Sequence, residues 1–187
     1  MTRIVHLIDD INPGGVVRYL DFLSASPEMA FGHHEVIPVS KSRFGSIRVE
    51  ADVIVSHLSI NWRGLPGLMA LRARYAGIPM IHVEHSYCEG FAAANVSAKR
   101  RFTTLLTSAY SLFDRVVAVS EMQAAWLLRR SVVDSEALTV IPPCVDLAPF
   151  RAIPAVDGPV RIIGALGRFH TQKGFDVLIR AFRQVDD

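Results

Sequence analysis

Short apolar runs recur along this chain, and stretches with helical periodicity separate them. The runs are Arg3–Asp9, Glu35–Val39, Val53–Ser56, Met80–His85, Asp114–Ser120 and Val160–Leu166. Between them, apolar residues fall at i, i+3, i+4: Val16, Tyr19, Leu20 and Leu23; Leu65, Leu68, Met69 and Leu71; Phe102, Leu105, Leu106, Ala109 and Phe113. Strands that alternate with helices build an open, mostly parallel sheet, because each return to the same sheet edge needs a crossover. The expected class is α/β, Rossmann-like, with helices on both faces. In such sheets ligands gather at the carboxyl ends of the strands.

Composition narrows the classes of function. Half of the 187 residues are hydrophobic and a fifth are charged, which is ordinary for a globular chain. A formal net charge of +2 carries no field that would favour nucleic acid. Two cysteines, Cys88 and Cys144, are too few for a disulfide framework, and no metal-ligand spacing surrounds them. The apolar start is short and broken by His6, and no window reaches the ~20 residues of a membrane span. The expected setting is cytoplasmic, with neither a metal nor a cofactor.

The chemistry-bearing residues sit where strands end. After the first run comes Pro13-Gly14-Gly15, followed by a helix; two glycines there let backbone approach a ligand closely. His57 follows the third run and His85 ends the fourth. Strand alternation places His82 and Glu84 on one face and His85 on the other. Ser86–Val96 reads as a loop carrying Tyr87. Ser120-Glu-Met-Gln123 reads as a capping box, with Met122, Ala125 and Trp126 as the core face of the helix it opens. Near the end, Gly167-Arg-x4-Lys-Gly174 lies between an expected strand and a helix with Phe175, Leu178, Ile179 and Phe182 on one face. A helix start with a guanidinium and an ammonium suits a diphosphate.

Several of these segments resemble glycosyltransferase family 4, retaining enzymes of the two-domain GT-B fold. The G-R-x4-K-G segment is similar to the one that opens the family's nucleotide-sugar half. Pro13–Arg18 resembles its G-G-x-x-R loop. Ile78–His85 resembles G-x-P-x-V-x-x-x-H, Asp114–Glu121 resembles D-x-v-v-a-v-S-e, and Thr139–Phe150 resembles v-I-P-N-G-V-D-x-x-x-F, with Pro143 and Cys144 departing from it.

The resemblance implies transfer of a sugar from a nucleotide-diphosphate donor to a carbohydrate or lipid-linked acceptor. Arg168, Lys173, Gly14 and Gly15 would hold the donor diphosphate. His85 would be the catalytic residue, and His57, Tyr87 and Ser120 would stand on the acceptor side. Lys99, Arg100 and Arg101 open a helix with cations, against its dipole; in the family such helices meet anionic membrane surfaces, which implies a peripheral contact at the inner face of the membrane.

The expected organisation is an acceptor domain over 1–145, a linker over 146–159 and the start of a donor domain over 160–187. The family's E-x7-E element, which grips the donor, is not within 160–187, so the lone chain is expected to be truncated and nearly inactive. A non-catalytic acceptor-binding or assembly module working with a partner that carries the donor half stands as the alternative. Another doubly wound nucleotide-binding protein is a weaker third reading.

Overall fold

The computed structural model describes residues 1–40, 44–154, 158–159, 162–167, 169 and 171–185. It divides into two compact units, Met1–Asp146 and Leu147–Asp187.

The first unit is a six-stranded sheet whose pairings are all parallel. Its strands are β1 Thr2–Ile8, β2 Gly32–Pro38, β3 Val53–Ser56, β4 Met80–Glu84, β5 Arg115–Ala118 and β6 Leu138–Val140, in the order β2-β1-β3-β4-β5-β6. The expected α/β class is therefore present. The helices are α1 Gly15–Ala25, α2 Leu65–Arg74, α3 Glu89–Asn95, α4 Lys99–Tyr110 and α5 Glu121–Arg129.

Adjacent strand residues face opposite ways, and the core follows that alternation. Val5, Leu7, Ile54 and Met80 pack with Leu68 and Leu71 of α2, Leu105 and Leu106 of α4, and Trp126 and Leu127 of α5. On the opposite face Ile8 packs with Tyr19 and Leu20 of α1. Helices thus cover both faces. Asp114 pins one end of the sheet: its carboxylate accepts both Arg72 guanidinium nitrogens at 2.9 and 3.0 Å and the Met80 backbone N–H at 2.8 Å.

Three sequence expectations change, and one strand stands where none is expected. Residues 89–95 form α3 where a loop is expected; Ala92–Ala94 favour a helix, and Arg129 pairs with Glu89 at 3.0 Å. Leu138–Val140 is a strand, too short before Ile141-Pro142-Pro143 to show a period. The buried face of α5 is Gln123, Ala124, Trp126 and Leu127, while Met122 and Ala125 are exposed. There a polar residue turns inward because its amide finds partners.

The third changed expectation lies in the second unit. Residues 162–166 form no strand and are exposed, Leu166 fully so. A strand needs a neighbour for its backbone groups, and the described residues of this unit contain none. This unit holds a short helix α6 Ala148–Arg151 inside the expected linker, a helical turn Thr171–Lys173, and α7 Phe175–Phe182. Gly174 caps α7 with φ of 63°, a left-handed conformation that favours glycine. The apolar stripe of α7 is present, but Ile179 and Phe182 on it are more than half exposed.

Candidate functional site

The strand order changes direction between β1 and β3, where open α/β sheets form their crevice. The loops leaving these two strands are tied together: Ser59 donates its backbone N–H and its hydroxyl to Asp9 at 3.1 and 3.2 Å. Beside them, the ends of β3 and β4 frame a cavity of about 230 Å³ walled by His57, Ser59, Ile60, His85, Tyr87 and Phe91.

Glu84, the last residue of β4, shapes one wall. Its Oε1 accepts the backbone N–H groups of Ser86 and Tyr87 at 2.7 and 2.9 Å, turning the chain sharply after the strand. Its Oε2 accepts the Tyr110 hydroxyl at 2.8 Å and lies 3.4 Å from His82 Nε2. The shared face of His82 and Glu84 is therefore as alternation requires. Burial acts to raise the Glu84 carboxyl, but His82 and the two backbone donors outweigh it and hold the group below its ordinary range. Burial and the Glu84 charge push the Tyr110 hydroxyl well up, and Tyr87 up to about 12.

Tyr87 is fixed on every side. Its hydroxyl donates to the Ile60 carbonyl, its ring lies 5.1 Å from Phe91 and Phe102, and its carbonyl accepts Gln123 Nε2 at 2.8 Å. Gln123 also accepts the Val119 N–H at 2.8 Å, and Ser120 Oγ accepts the Gln123 N–H at 3.2 Å. Ser120 caps α5 as its sequence setting indicates.

His85 stands just past β4, half-buried at the cavity, and it is the end of a row of four histidines. His34 Nδ1 lies 2.9 Å from His6 Nε2, His6 Nδ1 lies 3.0 Å from His57 Nε2, and His57 Nδ1 lies 2.9 Å from His85 Nε2. Consecutive rings sit 5.2–5.3 Å apart and within 28° of parallel. Burial lowers His6 to about 4 and His85 to about 4; it lowers His57, with help from its neighbours' charges, to about 2. The His6, His57 and His85 rings are thus neutral at pH 7. Their nitrogens meet in pairs, and among the described residues no three His, Cys, Asp or Glu converge as metal ligands.

Register explains the row. Ile4 pairs with His34 on one side and with Val53 on the other, and Val55 pairs with Ile81. His34 and His6, with His57 and His85 just past the ends of β3 and β4, therefore share one sheet face. Sequence reasoning singles out His57 and His85 and misses His6 and His34; the signal available is their common face on neighbouring strands. Both ring nitrogens of His57 are taken by His6 and His85, so it meets a ligand only through His85 or through its ring carbons.

The other residues that the sequence singles out lie outside the row and the cavity walls. Gly14 caps α1, its carbonyl accepting the Arg18 N–H at 3.1 Å, and a side-chain carbon on Gly15 would meet nothing within 4 Å. Lys99, Arg100 and Arg101 are exposed on the first turn of α4, with the Arg101 guanidinium 5.3 Å from the Trp62 ring centre. Among the described residues no helix is long and apolar enough to cross a membrane. Cys88 and Cys144 are free and exposed. Lys173 is exposed in the second unit; Arg168 lies outside the described residues.

The family model for Glycosyltransferase Family 4 matches residues 13–149, from the Gly14-Gly15 loop into α6. The chain belongs to glycosyltransferase family 4. No curated protein and no solved structure matches it. The family 4 match spans the strands and loops that build the cavity and leaves Arg168 and Lys173 beyond its end. All six residues named as walls of the cavity fall inside the glycosyltransferase segment.

Proposed function

We propose that this chain carries the acceptor side of a retaining glycosyltransferase that uses a nucleotide-diphosphate sugar. The observation behind this reading is His85, half-buried at the cavity on the carboxyl end of β4, within a family 4 domain. In the transfer, the bond from the sugar's anomeric carbon to the diphosphate breaks and a bond to the acceptor oxygen forms on the same face. The acceptor's proton leaves with the diphosphate. No protein nucleophile is needed.

Each residue then has a task. Arg168 and Lys173 neutralise charge developing on the leaving diphosphate, where preorganised cations stabilise a transition state most effectively. Gly14 and Gly15 let a phosphate or acceptor approach the start of α1, where backbone N–H groups are free. His85 orients the reacting sugar and the acceptor hydroxyl. His57, Tyr87 and Ser120 lie on the acceptor side, and Lys99, Arg100 and Arg101 offer a basic turn to an anionic lipid surface.

A calorimetric titration with UDP, GDP and ADP tests the donor half of this reading, run beside the Arg168→Ala/Lys173→Ala double variant. Binding of one nucleotide that weakens at least tenfold in the double variant supports it. Binding that the double variant retains in full overturns the assignment of these two cations.

A further inference from the structure

The four-histidine row has a direction, and we infer that the direction makes His85 a hydrogen-bond donor toward the cavity through Nδ1. A neutral imidazole has one N–H and one lone pair. His6 and His57 each use both nitrogens in the row, one as N–H and one as lone pair, so its three N···N hydrogen bonds allow only two arrangements, each with all protons shifted the same way. In one, His34 Nδ1–H donates to His6 Nε2, His6 Nδ1–H to His57 Nε2, and His57 Nδ1–H to His85 Nε2; His85 keeps its proton on Nδ1. In the other, every donor becomes an acceptor, His34 carries its proton on Nε2, and His85 Nδ1 is a bare lone pair.

The far end of the row selects between them. His34 Nε2 is buried and has no hydrogen-bond partner among the described residues. It is packed close to Gly32, where an added side-chain carbon would sit 3.5 Å from it. A buried N–H without an acceptor is rarer and costlier than a buried lone pair without a donor. The proton of His34 therefore sits on Nδ1, and each following ring must take the same tautomer. Aligned hydrogen bonds polarise one another and reinforce the choice. At the near end, His85 Nδ1 has no partner among the described protein groups, and His85 lines the cavity.

His34, His6 and His57 are positioning residues: their ring nitrogens act on a substrate only through His85 and set whether it meets an N–H or a lone pair there. The consequence for transfer rests on the glycosyltransferase reading above. In that reading His85 donates to an oxygen of the bound sugar or diphosphate and is not the base that takes the acceptor's proton. The tautomer itself does not depend on that reading.

Long-range ¹H–¹⁵N spectra of histidine-labelled protein at pH 7.5 distinguish the two tautomers directly. The expected result is protonated Nδ1 and bare Nε2 at all four rings. The His34→Asp variant provides a reversal: its carboxylate stands near the former Nδ1, offers His6 Nε2 an acceptor, and should move the proton of His85 from Nδ1 to Nε2. A wild-type His85 protonated on Nε2 overturns the inference, as does a folded His34→Asp protein in which His85 keeps its wild-type pattern. If the variant does not fold, the wild-type spectrum alone decides. None of these readouts is activity, so failure of the transferase reading would leave the tautomer result standing.

Discussion

Burial of His6, His57 and His85 ties the stability of the first unit to pH in a definite direction. Above pH 6.5 the rings are neutral whether the chain is folded or unfolded. Below it the unfolded chain takes up protons that the folded rings, held to about 4, 2 and 4, refuse. Stability is therefore full above about 6.5 and falls as pH drops toward 4. Each ring contributes on the order of 1 kcal/mol per pH unit across that window. The urea midpoint should fall markedly between pH 7 and pH 5, before carboxylates begin to titrate; a flat midpoint over that range would contradict the burial of the row. Glu84 gives a second residue-scale prediction. Tyr110→Phe removes a donor from a fully buried carboxylate, so unfolding free energy should drop by roughly 1.5–3 kcal/mol with an unchanged urea slope.

Elements differ in how much of them the sequence discloses. The boundaries of β3 fall at the expected residues, and β1, β4 and β5 within one or two, because a buried parallel strand is an apolar run with clear ends. The phase of α5 was not legible. Met122 is the apolar residue at the expected spacing, yet Gln123 turns inward because its amide binds the Val119 N–H and the Tyr87 carbonyl. Side-chain hydrophobicity cannot report a partner 36 residues away. The strand expected before Gly167 fails for a related reason: apolar content permits a strand, but only a neighbour makes one. Two substitutions test α5. Ser120→Ala should cost about 1 kcal/mol as a lost cap. Gln123→Ala should cost more and also loosen the Tyr87 turn, visible as faster amide exchange at Ser86 and Tyr87 than in Ser120→Ala.

At the scale of the molecule, the class of fold was legible from strand–helix alternation, and the neighbour relations were not. Residues 6, 34, 57 and 85 share no motif, and only the order β2-β1-β3-β4 brings them into a row. The Gly14-Gly15 loop and His85 were visible because their resemblance to family 4 segments is local. His6 and His34 depend on pairing between strands far apart in sequence. The cavity sits at the carboxyl ends of β3 and β4, where the row arrives through His57 and His85 from His34 and His6 inside β2 and β1, so a substrate there would meet loops that a rigid scaffold holds still.

Backbone amide mapping tests whether a substrate binds at these strand ends. Amide spectra of the labelled chain would be recorded as UDP-glucose, GDP-mannose or ADP-glucose is added. At least one of them should shift the amides of Gly14, Gly15, Ser59, Ser86 and Tyr87, and His85→Ala should weaken the response. Shifts confined to residues 89–106, away from the strand ends, or a response unchanged by His85→Ala, would contradict binding there.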